Sequence, residues 1–133
     1  MRHGPRSDLA PLLALRMFKY LIPLVFSASI AAAQEVENAP GGVLRALDKT
    51  SGQTTDFELR AGESASIGNL QIVLAECRYP RGNPSGNAYA ALEISETGKR
   101  GVIFSGWMIA SSPALSALEH PRYDVWVMRC ITS

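Results

Sequence analysis

His120 follows Ser111 and Ser112 and precedes Asp124, and these are the side chains best suited to chemistry in this sequence. A hydroxyl nucleophile, an imidazole base and an orienting carboxylate are the parts of a serine hydrolase. The spacing argues for a plainer role. Ser111-Ser112-Pro113 reads as a helix start, where a hydroxyl accepts a backbone N–H and proline takes the first helical position. No G-x-S-x-G elbow is present to strain a serine into reactivity. Paired carboxylates at Glu93 and Glu96, or at Asp56 and Glu58, could serve a glycosidase. Solvated strand faces account for all four.

Cys77 and Cys130 are the only cysteines, and their meaning depends on the compartment. Leu21 to Ile30 form a short apolar run, LIPLVFSASI, with Arg16 and Lys19 before it and Ala31-Ala32-Ala33 after it. Gln34 and Glu35 then turn polar. These are the three parts of a secretory signal peptide. The run has about half of the ~20 residues that cross a bilayer as a helix, and Pro23 interrupts it. Residues 1–33 are therefore expected to be a signal peptide cleaved after Ala33. A start at Met17 would give a compact signal on its own. With no Cys at the junction, no lipid-modified N-terminus is expected.

Export makes a Cys77–Cys130 disulfide the expected state. Closing a loop of roughly fifty residues gives about 4 kcal/mol in the chain-entropy account. No C-x-x-C spacing is present to lower a thiol pKa for redox work. A zinc site needs three or four ligands. With both sulfurs joined and His3 in the signal, His120 alone is left, so neither a metal site nor a cofactor is expected.

The charge balance narrows the partners. Of the 13 basic residues, Arg2, Arg6, Arg16 and Lys19 precede position 34; of the 12 acidic ones, only Asp8 does. The rest carries 9 basic against 11 acidic groups, a net of −2. Phosphate neutralisation needs clustered Lys and Arg, so nucleic acid is a poor partner. Anionic lipid is equally poor, and no stable membrane span remains after signal cleavage.

The elements that must position these residues are mostly strands. Residues 34–42, with Pro40-Gly41-Gly42, read as a flexible lead-in. Residues 43–133 read as one β-rich domain. Val43–Lys49 is the first expected strand. Thr55–Arg60 alternates, with Phe57 and Leu59 on one face. Gly68-Asn69 marks a hairpin between Ser64–Ile67 and Leu70–Cys77. Strict alternation in the second arm puts Leu70, Ile72 and Leu74 opposite Val73, Ala75 and Cys77.

Arg78 to Asn87 has two prolines and two glycines and reads as one long irregular loop. Ala88–Ser95 and Val102–Ile109 are further strands. A two-turn helix is expected over Ala114–Glu119, ended by Pro121. Tyr123–Cys130 is the last strand, with Trp126, Met128 and Cys130 on one face. Both Trp107 and Trp126 are read as core residues, Trp126 packing on the bridge. The fold expected is mainly β: a small antiparallel sandwich or barrel of six to seven short strands, with one short helix before the last strand.

Function tends to live on loops held by a rigid sheet. The candidate binding surface is therefore Arg78, Tyr79 and Arg81 on the long loop, with Trp107, His120, Tyr123 and Asp124 from the C-terminal part. An exposed Trp there would stack on a sugar ring or a partner protein.

The stretch Gly106-Trp107-Met108-Ile109-Ala110-Ser111-Ser112-Pro113-Ala114-Leu115, continuing through Ala117-Leu118-Glu119-His120-Pro121 and Tyr123-Asp124-Val125-Trp126-Val127 to Cys130, is a long motif. With Leu47-Asp48-Lys49-Thr50 and Leu70-Gln71-Ile72, it resembles the secreted alphaproteobacterial family called domain of unknown function 2155. The resemblance covers essentially the whole mature domain and implies a bacterial envelope setting, the periplasm. It brings no activity and no catalytic residue. The reading is a non-enzymatic envelope module that binds a protein partner or an envelope polymer. The alternative is an envelope hydrolase using Ser111 or Ser112 with His120.

Overall fold

The computed structural model describes residues 35–132, so the signal-peptide reading of residues 1–33 lies outside the described residues. Eight strands follow one another: β1 (Val36–Ala39), β2 (Gly41–Asp48), β3 (Thr54–Arg60), β4 (Ser64–Ile67), β5 (Leu70–Pro80), β6 (Tyr89–Glu96), β7 (Val102–Ile109) and β8 (Tyr123–Ile131). All strand pairs are antiparallel. One sheet has the order β1-β5-β6-β7, with β4 beside the first half of β5. The other has the order β3-β2-β8. The two form an open sandwich, not a closed barrel.

The extra strand comes from the expected lead-in. Val36–Ala39 pairs with Cys77–Pro80, so this segment is β1 and not a flexible leader. Pro40 ends it, and Gly41 and Gly42 then begin β2 as buried residues. Proline and glycine suggest a loop because they weaken isolated strands. Here glycine is required by close approach. A Cβ on Gly41 would strike the Leu59 carbonyl of β3, and one on Gly42 would stand 2.9 Å from Cys77 Sγ. Pro80 is likewise inside a strand, at the end of β5, where it pairs with Val36 of the outermost strand.

The core is aliphatic. Leu44, Ile72, Leu74, Leu92, Ile94 and Val127 are at most 1% exposed and come from both sheets. Among the described residues neither tryptophan belongs to the buried cluster. The expected core roles of Trp107 and Trp126 are therefore not observed. Trp107 is 39% exposed. Trp126 is half-buried on the strand face opposite Val125 and Val127, away from the bridge.

Two β-bulges explain that difference. In β5 an extra residue, Ala75, separates Leu74 from Glu76, and in β8 an extra residue, Met128, separates Val127 from Arg129. A bulge sets two residues against one and resets the alternation. Inward positions therefore run Leu74 then Cys77, and Val127 then Cys130, three apart instead of two. Strict alternation puts Cys77 opposite Leu74 and Cys130 beside Trp126. The bulges bring both sulfurs inward, with Cys77 fully buried and Cys130 6% exposed. Cys77 and Cys130 are bridged with their Cα atoms 5.8 Å apart, which ties the two sheets together.

The connection from β7 to β8 also differs from expectation. The two-turn helix is replaced by one 3-10 turn, Pro113–Leu115, and the Ser112 side chain makes no cap hydrogen bond. Leu115 is 76% exposed while Leu118 is buried. The apolar face that would stabilise a helix is thus split, and Leu118 serves as a plug in the core.

Candidate functional site

Each candidate residue takes its place from the strand that carries it. Arg78 and Tyr79 lie in β5 and not in a loop. Cys77 points inward, so its neighbour Arg78 projects from the outer face of the five-stranded sheet. Cross-strand rows there run Glu76–Ala91–Trp107 and Arg78–Tyr89–Ile109. Ala91 is small and leaves room above itself. Arg78 fills it: its guanidinium lies 4.8 Å from the Trp107 ring centroid. Glu76 accepts hydrogen bonds from Arg78 Nη2 at 2.8 Å and Nε at 3.2 Å, which hold the cation over the ring. Val36, Arg78, Tyr89, Trp107 and Ile109 line a shallow depression of about 360 Å³ across four strands.

The other residues of the expected surface do different work. Tyr79 packs its ring against the core and donates its hydroxyl proton to Glu37 Oε2 at 2.8 Å. That bond to a carboxylate raises the phenol pKa above its ordinary value. Arg81 clips β1 in place, 3.0 Å from Glu35 and 3.6 Å from Glu37. Tyr123 is a buried core residue, and its hydroxyl occupies the space a Cβ on Gly68 would need. The left-handed turn at Gly68, φ +55°, suits glycine for that second reason as well. Of the candidate set, only Arg78 and Trp107 meet on one exposed face.

His120 is locked. Its side chain is 8% exposed, and Nε2 lies 3.0 Å from Glu96 Oε2. Nδ1 accepts the backbone N–H groups of Arg122 and Tyr123 at 3.0 and 3.2 Å. An acceptor Nδ1 requires the proton on Nε2, which then donates to Glu96. Both ring nitrogens are occupied, and neither can take a proton from a serine. Ser111 is committed elsewhere, accepting a hydrogen bond from Asn87 Nδ2 at 2.8 Å. Asp124 sits 3.3 Å from Lys49. The imagined triad is not assembled.

One carboxylate of each candidate pair, Asp56 and Glu96, is also committed. Arg45 donates two hydrogen bonds to Asp56, at 2.7 and 2.9 Å, and the pairing lowers the Asp56 pKa. Glu96 is lowered by the bond from His120 and by Lys99. A glycosidase acid needs its pKa raised, so these shifts have the wrong sign for that role. Among the described residues no group of three His, Cys, Asp or Glu could hold a metal ion.

The partners that sequence reasoning misses are Glu76, Tyr89, Asn87 and the Glu96 contact. Glu76 and Arg78 at i and i+2 share a strand face only in an extended segment. The two prolines of that stretch hide the extension.

The histidine lock has two measurable consequences. His120→Ala should lower stability by about 2 kcal/mol, because backbone donors lose their acceptor. Chemical denaturation of the purified domain reads this loss directly. The Glu96 pKa is held below its ordinary 4.5 in the folded state. Its contribution is complete above that ordinary value and is lost as pH falls through the folded pKa. Glu96→Gln should therefore flatten the acid limb of the stability–pH curve, measured by thermal melts across the acid range.

Residues 42–130 match the family described as an uncharacterized protein conserved in bacteria, domain of unknown function 2155. The chain belongs to this family. A relative in Rickettsia prowazekii (strain Madrid E), described as an uncharacterized protein, is 31% identical over 99 residues. That alignment covers 72% of this chain and 64% of the relative, so the match stops short of two thirds of the relative's length. No solved structure matches. The family therefore fixes a conserved bacterial domain, and the five-stranded face has to be read from its own geometry. No helix among the described residues is long and apolar enough to cross a membrane.

Proposed function

We propose that this member of the domain of unknown function 2155 family is an exported, non-catalytic binding module of the cell envelope. It engages a partner through the outer face of the five-stranded sheet. The observation that carries this is the Trp107–Arg78 pair, exposed above a shallow apolar depression on a rigid sheet. Tryptophan and arginine are the side chains most enriched at the energetic centres of interfaces. A buried aromatic would be explained by packing; a 39% exposed one beside a stacked cation is not. Export is supported by the signal-like N-terminal sequence and by a disulfide of the kind kept in oxidising compartments. The periplasm is the location this reading assigns.

A hydrolase using Ser111 or Ser112 is disfavoured because His120 has no free ring nitrogen. Immobilised domain, residues 34–133, would be exposed to solubilised envelope from the native bacterium. Trp107→Ala should weaken retention of the bound species by about 30-fold. Its melting temperature should move by only a few degrees, roughly as for other surface changes. Equal retention by the wild type and Trp107→Ala would reject the proposed face.

A further inference from the structure

Every open sheet leaves edges that can accept another strand, and proteins guard them with charge, proline or shortness. Three edge regions of this domain are guarded. β1 carries Glu37 and ends at Pro40, and β4 beside it has only four residues. β3 carries Asp56, Glu58 and Arg60. β8 carries Asp124 and Arg129. β7 differs. Its eight residues, VIFSGWMI, include no charge and no proline, and Val102 is 52% exposed. Among the described residues its sole strand partner is β6. Outside that ladder, its one backbone hydrogen bond among the described residues is the turn bond from Ser112 N–H to the Ile109 carbonyl.

We infer that β7 is a receiving edge, on which an extended segment of another exported polypeptide adds as a further antiparallel strand. The inference rests on the binding-module reading and specifies its partner class and mode. Backbone N–H and C=O groups on β7 would supply affinity, and alternate side chains of the guest would supply selectivity. Trp107 and Ile109 are residues of β7 and also line the depression over the outer face. A guest strand beside β7 would lay every second side chain on that face, next to the Trp107 ring.

Charge orients the guest. Lys99 is paired with Glu96 at 3.2 Å, whereas Arg100 is exposed and has no ion pair among the described residues. Arg100 stands just before the start of β7. In an antiparallel addition the guest's C-terminal end lies there, so an acidic residue is expected at that end. A glycan offers neither the backbone ladder nor that directional charge.

The test uses the whole processed domain, residues 34–133, and short synthetic peptides tiled across the exported proteins of the same bacterium. Peptides that bind should carry alternating apolar residues and an acidic C-terminal end. Amide exchange measured by NMR should slow at alternate residues of β7, since successive residues of a strand present their backbone groups to opposite sides. Arg100→Glu should weaken those peptides at least tenfold. Ser105→Pro and Gly106→Pro should differ, because only one of the two residues turns its N–H outward. The variant with the outward N–H keeps the fold and loses binding.

Peptides that bind with no slowing along β7 would overturn strand addition while leaving the Trp107 face intact. Binding that survives Trp107→Ala yet protects β7 would reject that face and keep the edge. A set with no binding peptide, or a domain that pairs only with a second copy of itself through β7, would overturn the inference.

Discussion

Replacing Cys77 and Cys130 together with alanine is expected to lower stability by about 4 kcal/mol, more than any other substitution in this domain discussed above. The bridge spans 53 residues, and it is the covalent tie between the two sheets. In the chain-entropy account, long closed loops restrict the unfolded chain most. The expected fall in Tm is roughly 15–30 °C for a domain of this size. Burial adds a kinetic consequence. With Cys77 fully buried and Cys130 6% exposed, a reductant must await local opening. Native protein should hold its disulfide in mild reductant and lose it once denaturant is added. Thiol counting with and without denaturant measures this.

The second large effect is expected at Gly42. Strand propensity alone would favour Gly42→Val, since β-branched residues suit strands and glycine weakens them. The structure reverses the sign. Gly42 lies opposite Cys130 in the ladder, and a Cβ there would meet Cys77 Sγ at 2.9 Å and the Arg129 carbonyl at 3.3 Å. Neither neighbour is the free end of a flexible side chain. The bridged sulfur is fixed at both ends, and the carbonyl belongs to the adjacent strand. Gly42→Val should cost about 3 kcal/mol, at the upper end for overpacking. In the background lacking both cysteines the cost should shrink, because the nearest obstacle is gone. A double-mutant cycle by urea denaturation gives the coupling. Strictly additive losses would show that the sulfur does not set the requirement for glycine.

These two positions also show how much of the fold is legible in sequence. Period-two alternation reveals the mainly β class, the Gly68-Asn69 hairpin and the strands around Phe57, Leu92 and Val125. Alternation fails at Ala75 and Met128, because a bulge has no fixed residue signature and shifts every later side chain by one position. Periodicity consequently places Cys77 on the wrong face and sets Trp126 beside the bridge. Pro40-Gly41-Gly42 misleads for another reason. Their fitness for a strand depends on what approaches from the neighbouring strands and from Cys77 of the facing sheet, which only tertiary contacts reveal.

The site is legible in part. Residue type singles out both Arg78 and Trp107, yet as members of separate regions. Their meeting depends on the β5–β6–β7 register and on the small Ala91 between them. His120 and Tyr123 also stand out by residue type. Their use is structural, since Glu96, two backbone N–H groups and Gly68 occupy them. A lone histidine near a carboxylate reads as chemistry until its second nitrogen is traced.

The most direct measurement is photo-crosslinking in the native bacterium, with a photoreactive amino acid in place of Ile109, which lines the depression beside an intact Trp107, and, separately, in place of Thr55 on the three-stranded sheet. Adducts of one defined mass should form from position 109 and not from position 55. No adduct from 109, or the same adducts from both positions, would contradict a binding face on the five-stranded sheet.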